Sequence, residues 1–364
     1  MATPENLPAD AENPDHPSGR QGDDSATGRS PYLTAREAEE IVLDSYGFEG
    51  EAERIAGERD DNFLIRGKSG TKIFLKVAHI HEDETVTNLV TSVLLHVAAE
   101  APELPVQHVV RDRKSEAEVE LTTGDGSSRR ARVTTYLDGR ILRSANPDRE
   151  LRFELGRTLA TLNRTLRTFD HPGLDHQHLL WDVQRSVELR ELLQPASRGH
   201  DSLAQSLDLF DSDVRPLMER LRTQAVHTDF SRDNILVDGA EKKIVGILDF
   251  GDLVRAPLAN DLAIAAYQLW DLADPLESAA AIVAGYHEVD ELLESEVALL
   301  YDLMLMRIVS RIIISEWRAD RFPENRDYIL RNRSQAWTEF DFLREVSRDH
   351  VTERMMQACA TGKP

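Results

Sequence analysis

The spacing of apolar residues differs between the first and second parts of the chain. Between residues 52 and 136, apolar residues alternate with polar ones in short runs, which is the spacing of β-strands. Residues 67–70 contain two glycines and separate two such runs, so a hairpin is predicted with strands over residues 62–65 and 71–77. The pattern also predicts three further strands and one helix, at residues 106–110, 116–121, 129–136 and, for the helix, 83–99.

Beyond residue 138 the apolar spacing is that of helices. Leucines recur every three or four residues from Leu151 to Leu166, so a long helix is predicted that is capped by Asn146 and begins at Pro147. The most apolar run, residues 299–314, contains one aspartate and two arginines. These charges argue against a membrane-spanning helix. Together with the strands, the helices predict an α+β protein.

The two ends of the chain have a different composition. Residues 1–30 are rich in Pro, Asp, Asn, Gly and Ser and are poor in large apolar side chains, so we predict a disordered tail. The folded part is predicted to begin with a helix whose capping box is formed by Thr34 and Glu37. Residues 351–364 are predicted to form a short C-terminal tail.

Composition narrows the classes of function. The chain has 364 residues and a formal net charge of −22, which argues against binding to a nucleic-acid backbone. Cys359 is the only cysteine, so an internal disulfide and a cysteine metal cluster are excluded. With no signal-peptide pattern at the N-terminus, a soluble cytoplasmic protein is expected. The sequence does not indicate an oligomeric state.

Residues 225–253 contain the densest group of chemically active side chains. His227-Thr228-Asp229 follows an apolar approach, and Asn234 comes five residues after the aspartate. Two β-prone runs then flank an Asp-Gly turn, and the second run ends in Asp249-Phe250-Gly251. An antiparallel hairpin would bring Asn234 and Asp249 close together, with Asp229 on the loop just before them.

Two carboxylates and an amide oxygen form a ligand set that suits Mg²⁺. The order of these residues is that of the catalytic and metal-binding loops of kinases, in which an aspartate accepts the proton of the attacking hydroxyl. Asp229 is therefore the predicted base, and Asn234 and Asp249 are the predicted metal ligands. The alternative is a buried turn whose polar groups bond only to one another. Asp261 is predicted either to accept backbone hydrogen bonds from the catalytic loop or to cap the next helix.

Lys76 is the lysine that best fits a role in binding phosphate. It lies within the apolar run Phe74-Leu75-Lys76-Val77, where an ammonium group is costly unless it meets an anion. The alternative is a solvated strand face, which Lys76 would share with Lys72. Kinases pair this lysine with a helix glutamate, and Glu84 is the acid that is placed for such a pair.

These motifs resemble the aminoglycoside phosphotransferase superfamily and, within it, are most similar to the hydroxylysine kinase group. The resemblance extends to Arg59, Asn62 and Phe63 before the lysine strand, to Trp181-Asp182, and to Ser315-x-Trp317-Arg318. It implies a protein-kinase-like fold of two lobes, with a small antiparallel-sheet lobe over residues 31–137 and a mainly helical lobe over residues 138–350. It also implies Mg²⁺ and either ATP or GTP as the phosphate donor.

The resemblance implies further site residues and a class of acceptor. Tyr136 and Leu137 are expected at the hinge between the lobes, where backbone groups hold the base of the nucleotide. Lys76, Asn62 and Arg59 are expected on the nucleotide. The acceptor is expected to be a hydroxyl of a small, cationic, amine-bearing molecule, such as hydroxylysine or an amino alcohol. The candidate residues for its contacts are Asp182, Asp252, Trp317 and Arg318.

Two other functions remain open from the sequence. An aminoglycoside kinase belongs to the same class of enzyme and would need a wide cleft rich in carboxylates. A nucleotide-binding module without catalytic activity belongs to a different class and would bind Mg²⁺–nucleotide without transferring phosphate.

Overall fold

The computed structural model describes residues 33–55, 60–122, 126, 128–176 and 178–362, apart from the side chains of His176 and Glu324. The predicted disordered tail, residues 1–30, lies outside these ranges, as does Arg59. Among the described residues, no helix combines the length and the apolar character needed to cross a membrane.

The first lobe is an antiparallel sheet with one helix on each side. Its strands are β1 Gly50–Ile55, β2 Asp61–Gly67, β3 Lys72–Val77, β4 Val109–Val110, β5 Val119–Thr122 and β6 Ser128–Thr135. They pair in the order β1-β2-β3-β6-β4, and β5 also pairs with β6. The helices are α1 Ala35–Ile41, which continues as a π-helical turn over Val42–Tyr46, and α2 Glu84–Glu100. The Thr34–Glu37 capping box is present at the start of α1, as predicted.

The two faces of this sheet have different partners because side chains alternate along a strand. On β3, Ile73, Leu75 and Val77 are buried in the apolar core beneath α1. Lys76 therefore points to the opposite face. In the register of the sheet, Asn62 of β2 and Arg132 of β6 lie directly beside Lys76. The sheet thus presents a polar row of three side chains on the face away from α1.

One predicted strand of this lobe is shorter than expected. The strand predicted over residues 106–110 pairs with β6 only at Val109–Val110. Val106 instead forms a parallel bridge to Ile247, and Ile247 N donates to Pro105 O over 2.8 Å. Residues 105 and 106 therefore pair with Ile247 of the second lobe and not with β6.

The second lobe is mainly helical and contains two small sheets. Its strands are β7 Arg140–Ile141, β8 Thr223–Val226, β9 Ile235–Val237, β10 Ile244–Ile247 and β11 Val254–Pro257. Its helices are α3 Arg149–Leu166, α4 Gly173–His176, α5 His200–Leu209, α6 Arg215–Met218, α7 Leu258–Gln268, α8 Pro275–Val289, α9 Glu294–Val297, α10 Leu300–Arg321, α11 Arg326–Ile329, α12 Arg333–Glu345 and α13 Arg348–Thr361. This lobe also contains the 3₁₀-helical segments Leu142–Ser144, Val183–Glu191 and Pro323–Asn325 and the π-helical segment Phe210–Val214.

Two glycines allow the helices α3 and α8 to cross in close contact. A Cβ atom added at Gly156 would lie 2.0 Å from Ile282 O, and one added at Gly285 would lie 2.0 Å from Phe153 O. Any larger residue would force the two backbones apart. This crossing lies in a large apolar core that also takes in the buried face of α2, so the core of the second lobe extends to the first.

Two predicted boundaries in this lobe are wrong. The helix α3 is capped by Asp148, whose Oδ1 accepts from Leu151 N over 2.9 Å, and it does not begin at Asn146 and Pro147. The predicted tail over residues 351–364 is instead mostly the helix α13. Its residues Val351, Met355 and Ala358 are buried. The spacing of these three residues buries one apolar face in the core of the second lobe.

Candidate active site

The catalytic loop, residues 227–234, is attached to the helix α7 through its backbone. Asp261 Oδ2 accepts from His227 N over 3.1 Å, and Asp261 Oδ1 accepts from Thr228 N over 2.8 Å. Asp261 lies inside α7 and does not cap it, since Pro257 occupies the cap position. Of the two roles predicted for Asp261, the structure therefore has the one that fixes the loop.

His227 connects the catalytic loop to the residues that follow β10. Its Nδ1 accepts from Asp229 N over 3.3 Å, so the proton lies on Nε2, which donates to Leu248 O over 3.0 Å. The imidazole ring also packs edge-on against Phe250, with 4.8 Å between ring centroids. Because His227 is fully buried and bonded on both nitrogens, it positions the loop.

Thr228 has a backbone conformation that is unusual for its residue type. Its φ of 61° lies in the left-handed region, where a β-branched side chain is strained. The Thr228 hydroxyl donates to Asp252 O over 2.7 Å, and its N–H is held by Asp261. These two bonds hold the strained turn that aims Asp229 into the cleft.

The two carboxylate oxygens of Asp229 have different neighbours. Oδ2 accepts a hydrogen bond from Asn234 Nδ2. Oδ1 lies 3.8 Å from Arg307 Nη2 of α10, which is longer than a hydrogen bond. Asp229 is 4% exposed and Arg307 is 3% exposed. Oδ1 is therefore the oxygen that faces a cation, while Oδ2 is fixed by the loop.

The predicted hairpin after Asn234 is present. Ile235 of β9 is paired with Ile247 of β10, and Leu248 N donates to Asn234 O over 2.8 Å. Asp249 follows directly, with a φ of 56°, and its Oδ1 accepts from Gly251 N over 3.0 Å. The start of β9 and the end of β10 thus lie side by side, as the sequence predicts. We call Asp229, Asn234 and Asp249 the catalytic-loop wall of the cleft.

Lys76 has a carboxylate partner, which comes from the residue just before β2. Lys76 Nζ lies 2.9 Å from Asp60 Oδ2, and Asp60 Oδ1 accepts from His79 N over 2.8 Å. Burial acts to raise the pKa of Asp60, but the Lys76 ammonium and the His79 N–H outweigh it, so the pKa lies below its ordinary value. Lys72 occupies the same face of β3 and bonds to Asp138 instead.

The helix glutamate considered from the sequence does not pair with Lys76. Glu84 Oε2 lies 3.1 Å from Arg130 Nη2 on β6. Glu84 lies in the first turn of α2, at the end of the helix where side chains meet β6. Asp60 therefore provides the carboxylate that the helix does not.

Arg132 is a second cation beside Lys76. Burial lowers the pKa of Arg132, and the carboxylates of Asp60, Glu118 and Asp249 oppose this effect. Asp60 belongs to the first lobe and Asp249 to the second, so Arg132 interacts with acids on both sides of the cleft. Asn62 lies in the same row, and its buried Oδ1 has no hydrogen-bond partner among the described residues. We call Asp60, Asn62, Lys76 and Arg132 the sheet wall.

Tyr136 and Leu137 lie where the sheet joins the second lobe. β6 ends at Thr135, and Tyr136 N donates to Lys72 O over 3.4 Å. Both residues are half-buried, and the Lys72 ammonium lies 5.5 Å from the centre of the Tyr136 ring. The structure therefore places both residues in the connection between the lobes.

The four residues suggested for acceptor contact lie at different distances from Asp229. Asp252 is buried, and its charge acts on Arg307, the neighbour of Asp229. Asp182 caps the helical segment Val183–Glu191 by accepting from Gln184 N over 3.0 Å, and burial raises its pKa. Arg318 lies on α10 about 16 Å along the helix axis from Arg307, and Trp317 is half-buried next to it, beneath Arg321.

Three residues near the site were not predicted from the sequence. Asp60 and Arg132 reach Lys76 through the register of the sheet, which a single sequence does not reveal. Arg307 could have been suspected from the sequence, because a charged residue inside the apolar run at residues 299–314 requires a buried partner. Its position in the sequence indicates a buried charge but does not identify the residue that pairs with it.

The fold and the cleft define a kinase-like phosphotransferase. A lobe built on an antiparallel sheet and a helical lobe bring together two carboxylates and an amide on one wall and a lysine and an arginine on the other. This is the arrangement that phosphoryl transfer requires. The predicted fold class is confirmed by solved structures of small-molecule kinases.

The chain belongs to the phosphotransferase enzyme family, whose model matches residues 51–298. It is similar to the hydroxylysine kinase of Mus musculus, with 24% identity over 356 residues that cover 90% of this chain and 94% of the relative. For the hydroxylysine kinase of Danio rerio, the identity is 25% over 341 residues, with 90% and 96% covered.

Among solved structures, the fold is similar to that of the amicoumacin kinase hAmiN in complex with AMP-PNP, Ca²⁺ and Ami. The TM-score is 0.64 at 16% identity, covering 88% of this chain and 94% of the other. It is also similar to a microcompartment-associated aminopropanol kinase, with a TM-score of 0.60 at 16% identity and coverage of 90% and 96%. The family identifies the protein as a small-molecule kinase that phosphorylates a hydroxyl group.

Proposed function

We propose that this kinase transfers the γ-phosphate of ATP or GTP to a hydroxyl group of a small, amine-bearing metabolite, namely hydroxylysine or a similar hydroxy amino acid or amino alcohol. The observation that carries the proposal is the cleft between the lobes, in which Asp249, next to the catalytic loop, acts electrostatically on Arg132, the strand neighbour of Lys76. The curated relatives named hydroxylysine kinase support this class of acceptor.

Asp229 acts as the base in this proposal. Its Oδ2 accepts from Asn234, and Oδ1 is the oxygen that we assign to receive the hydroxyl proton. The hydroxyl oxygen then forms a bond to the γ-phosphorus, and the bond from that phosphorus to the β,γ-bridging oxygen breaks. The products are a phosphate monoester, a nucleoside diphosphate and the proton held by Asp229.

Asn234 and Asp249 are the proposed ligands of Mg²⁺. Asn234 donates to Asp229 through Nδ2, so its amide oxygen is the atom that suits a metal. An amide oxygen and a carboxylate fit Mg²⁺, which takes the rest of its shell from phosphates and water. Bound there, Mg²⁺ would supply positive charge to the phosphate oxygens.

The sheet wall is the proposed site of the nucleotide. Lys76 and Arg132 neutralise negative charge on the phosphates, and Asp60 holds the Lys76 ammonium in the cleft. Asn62 in the same row offers a buried oxygen that has no hydrogen-bond partner in the part of the chain that the structure describes. The backbone at Tyr136 and Leu137 is proposed to hold the base, and Arg59 remains a proposed contact of the phosphates.

Acidic groups near Asp229 are proposed to attract the amine of the acceptor. Asp252 is buried in this region, and the chain as a whole is strongly acidic, which favours a cationic substrate. Asp182, Trp317 and Arg318 remain proposed contacts of the acceptor.

The test is phosphate transfer by the purified protein to a panel of hydroxyl compounds, with ATP and GTP each supplied as the Mg²⁺ complex. The panel contains hydroxylysine, simple amino alcohols and several aminoglycosides. We expect turnover with hydroxylysine or a related amine, and loss of turnover when EDTA removes Mg²⁺. Turnover confined to aminoglycosides would replace the proposed acceptor with an antibiotic, and tight nucleotide binding without any transfer would contradict the proposal.

A further inference from the structure

Arg307 is a buried cation at the reacting end of the cleft, and the proposed reaction gives it no role. It lies on α10 between Met306 and Ile308, both of which are buried in the apolar core. Its side chain is 4% exposed. A guanidinium in such a place loses its hydration, so its position calls for an anionic partner.

Arg311, one turn further along α10, shows how a buried arginine of this protein is satisfied. Arg311 Nη1 lies 2.6 Å from Tyr267 OH and 3.1 Å from Glu339 Oε2, and Tyr267 OH donates to Glu339 over 2.9 Å. Nη1 of Arg311, the Tyr267 hydroxyl and the Glu339 carboxylate thus form a closed triangle of direct hydrogen bonds. Arg311 is therefore a structural residue.

The hydrogen-bond donors of the Arg307 guanidinium have fewer partners among the described residues. A guanidinium has five N–H donors. Among the residues that the structure describes, one hydrogen bond uses them, from Nη1 to Trp181 O over 2.7 Å. The guanidinium also lies 5.0 Å from the centre of the Trp181 ring. Its approach to Asp229 is 3.8 Å, which is too long for a hydrogen bond.

We propose that Arg307 binds a carboxylate group of the acceptor, an assignment that rests on the proposed function. The planar guanidinium matches a carboxylate in charge and shape. A carboxylate here would also screen Arg307 from repelling the amine of the same acceptor. The acceptor class is thereby narrowed to hydroxy amino acids, because an amino alcohol or an aminoglycoside has no carboxylate to offer.

The distances agree with this class of acceptor. An attacking hydroxyl lies about 2.7 Å from Asp229 Oδ1, and a carboxylate oxygen lies about 2.8 Å from Arg307 Nη2. Because Oδ1 and Nη2 are 3.8 Å apart, the hydroxyl and carboxylate oxygens can be separated by at most about 9 Å. Hydroxylysine and shorter hydroxy amino acids fall within that limit.

The experiment compares two acceptors that differ only in the carboxylate: hydroxylysine and the diamino alcohol formed by its decarboxylation. Steady-state kinetics are measured for wild type, Arg307→Lys and Arg307→Met. For wild type we expect kcat/KM to be about ten- to a hundredfold lower with the diamino alcohol, since a charged hydrogen-bonded contact is lost. Arg307→Met should lose a similar factor with hydroxylysine, mainly through KM, and change the diamino alcohol rate only a few-fold. Arg307→Lys should be intermediate.

The possible outcomes separate this assignment from the proposed function. If wild type uses both acceptors equally well, or if the variants lose both to the same degree, Arg307 supports Asp229 and does not bind a carboxylate. If wild type transfers phosphate to neither acceptor, the proposed function itself fails, and the assignment fails with it. Nucleotide binding by each variant shows that the cleft is folded, and the wild-type comparison requires no substitution.

Discussion

The two walls of the cleft are built in different ways. The catalytic-loop wall comes from one stretch of chain, and its groups are held by contacts within that stretch and by one carboxylate, Asp261. The sheet wall comes from three strands and from Asp60 just before β2, and its groups meet through the strand register and the Lys76–Asp60 ion pair. The catalytic-loop wall is therefore formed mainly by contacts between residues close in sequence, whereas the sheet wall depends on the fold of a whole lobe.

The charged groups of the two walls also differ in how they are used. On the catalytic-loop wall each acid has its own proposed role, Asp249 as a metal ligand and Asp229 as the base. On the sheet wall the cations Lys76 and Arg132 share the carboxylate of Asp60. A substitution on the catalytic-loop wall should therefore abolish one chemical role, while a substitution on the sheet wall should be partly offset by its neighbours.

The largest effect is expected from Asp249→Asn on the catalytic-loop wall. Loss of the charged metal ligand should lower kcat about a thousandfold, and raising Mg²⁺ should restore part of it. The measurement is kcat as a function of Mg²⁺ concentration. Asp238→Asn, at the exposed turn of the same hairpin, is the matched control and should leave kcat unchanged. Equal losses in both variants would show that the hairpin fold, and not the metal, is affected.

A smaller effect is expected from Lys76→Met on the sheet wall. Arg132 remains beside the phosphates, so kcat/KM for the nucleotide should fall about a hundredfold and not be abolished. Lys72→Met is the matched control, since Lys72 shares the strand face but bonds to Asp138. We expect that control to stay within a few-fold of wild type. A loss as large as that of Asp249→Asn would mean that Arg132 does not neutralise the phosphate charge when Lys76 is absent.

Asp60→Asn should have a still smaller effect on activity, about tenfold in the KM of the nucleotide, because the lysine remains but is less firmly positioned. The same substitution should also lower the free energy of unfolding in a pH-dependent way. The pKa of Asp60 is lower in the folded state than in the unfolded state, so its stabilisation is present above the unfolded pKa and is lost as the pH falls through the folded pKa.

The stability of Asp60→Asn is therefore measured by urea unfolding at two pH values. At pH 7 the variant should be less stable than wild type by about 1 kcal/mol, a value reduced by the partial exposure of the pair. At a pH below the folded-state pKa of Asp60 the difference should disappear, because the carboxyl group is then protonated in both states. A difference that is independent of pH would show that the ionised carboxylate does not stabilise this wall.

The smallest effect concerns Thr228. Thr228→Val keeps the strained φ and loses the bond to Asp252 O, so it should destabilise the protein by about 1 kcal/mol. Thr228→Gly loses the same bond but also relieves strain of about 1 kcal/mol, so it should be close to neutral. Unfolding free energies of the two variants give the comparison. If the glycine variant is the less stable of the two, Thr228 is not strained.

The same contrast explains what the sequence could predict. Asp229, Asn234 and the Asp249 turn were predictable because all three lie in one short stretch with a hairpin between them. The long α2 and the capping box at Thr34 followed from local patterns as well. Local patterns of this kind can be recognised without any knowledge of the tertiary structure.

What could not be predicted depends on contacts between distant residues. The partner of Lys76 was sought on α2, at Glu84, but the fold provides Asp60 instead. Residues 351–361 are helical because their apolar face meets the core of the second lobe. Arg307 reaches Asp229 only because α10 passes under the catalytic loop.

The most direct test is single-turnover phosphate transfer to hydroxylysine by wild type and Asp229→Asn, with nucleotide affinity measured in parallel. We expect Asp229→Asn to bind Mg²⁺–ATP as wild type does and to transfer phosphate about a hundred- to a thousandfold more slowly, because the hydroxyl proton has no acceptor. Transfer within a few-fold of the wild-type rate would contradict the assignment of Asp229 as the base.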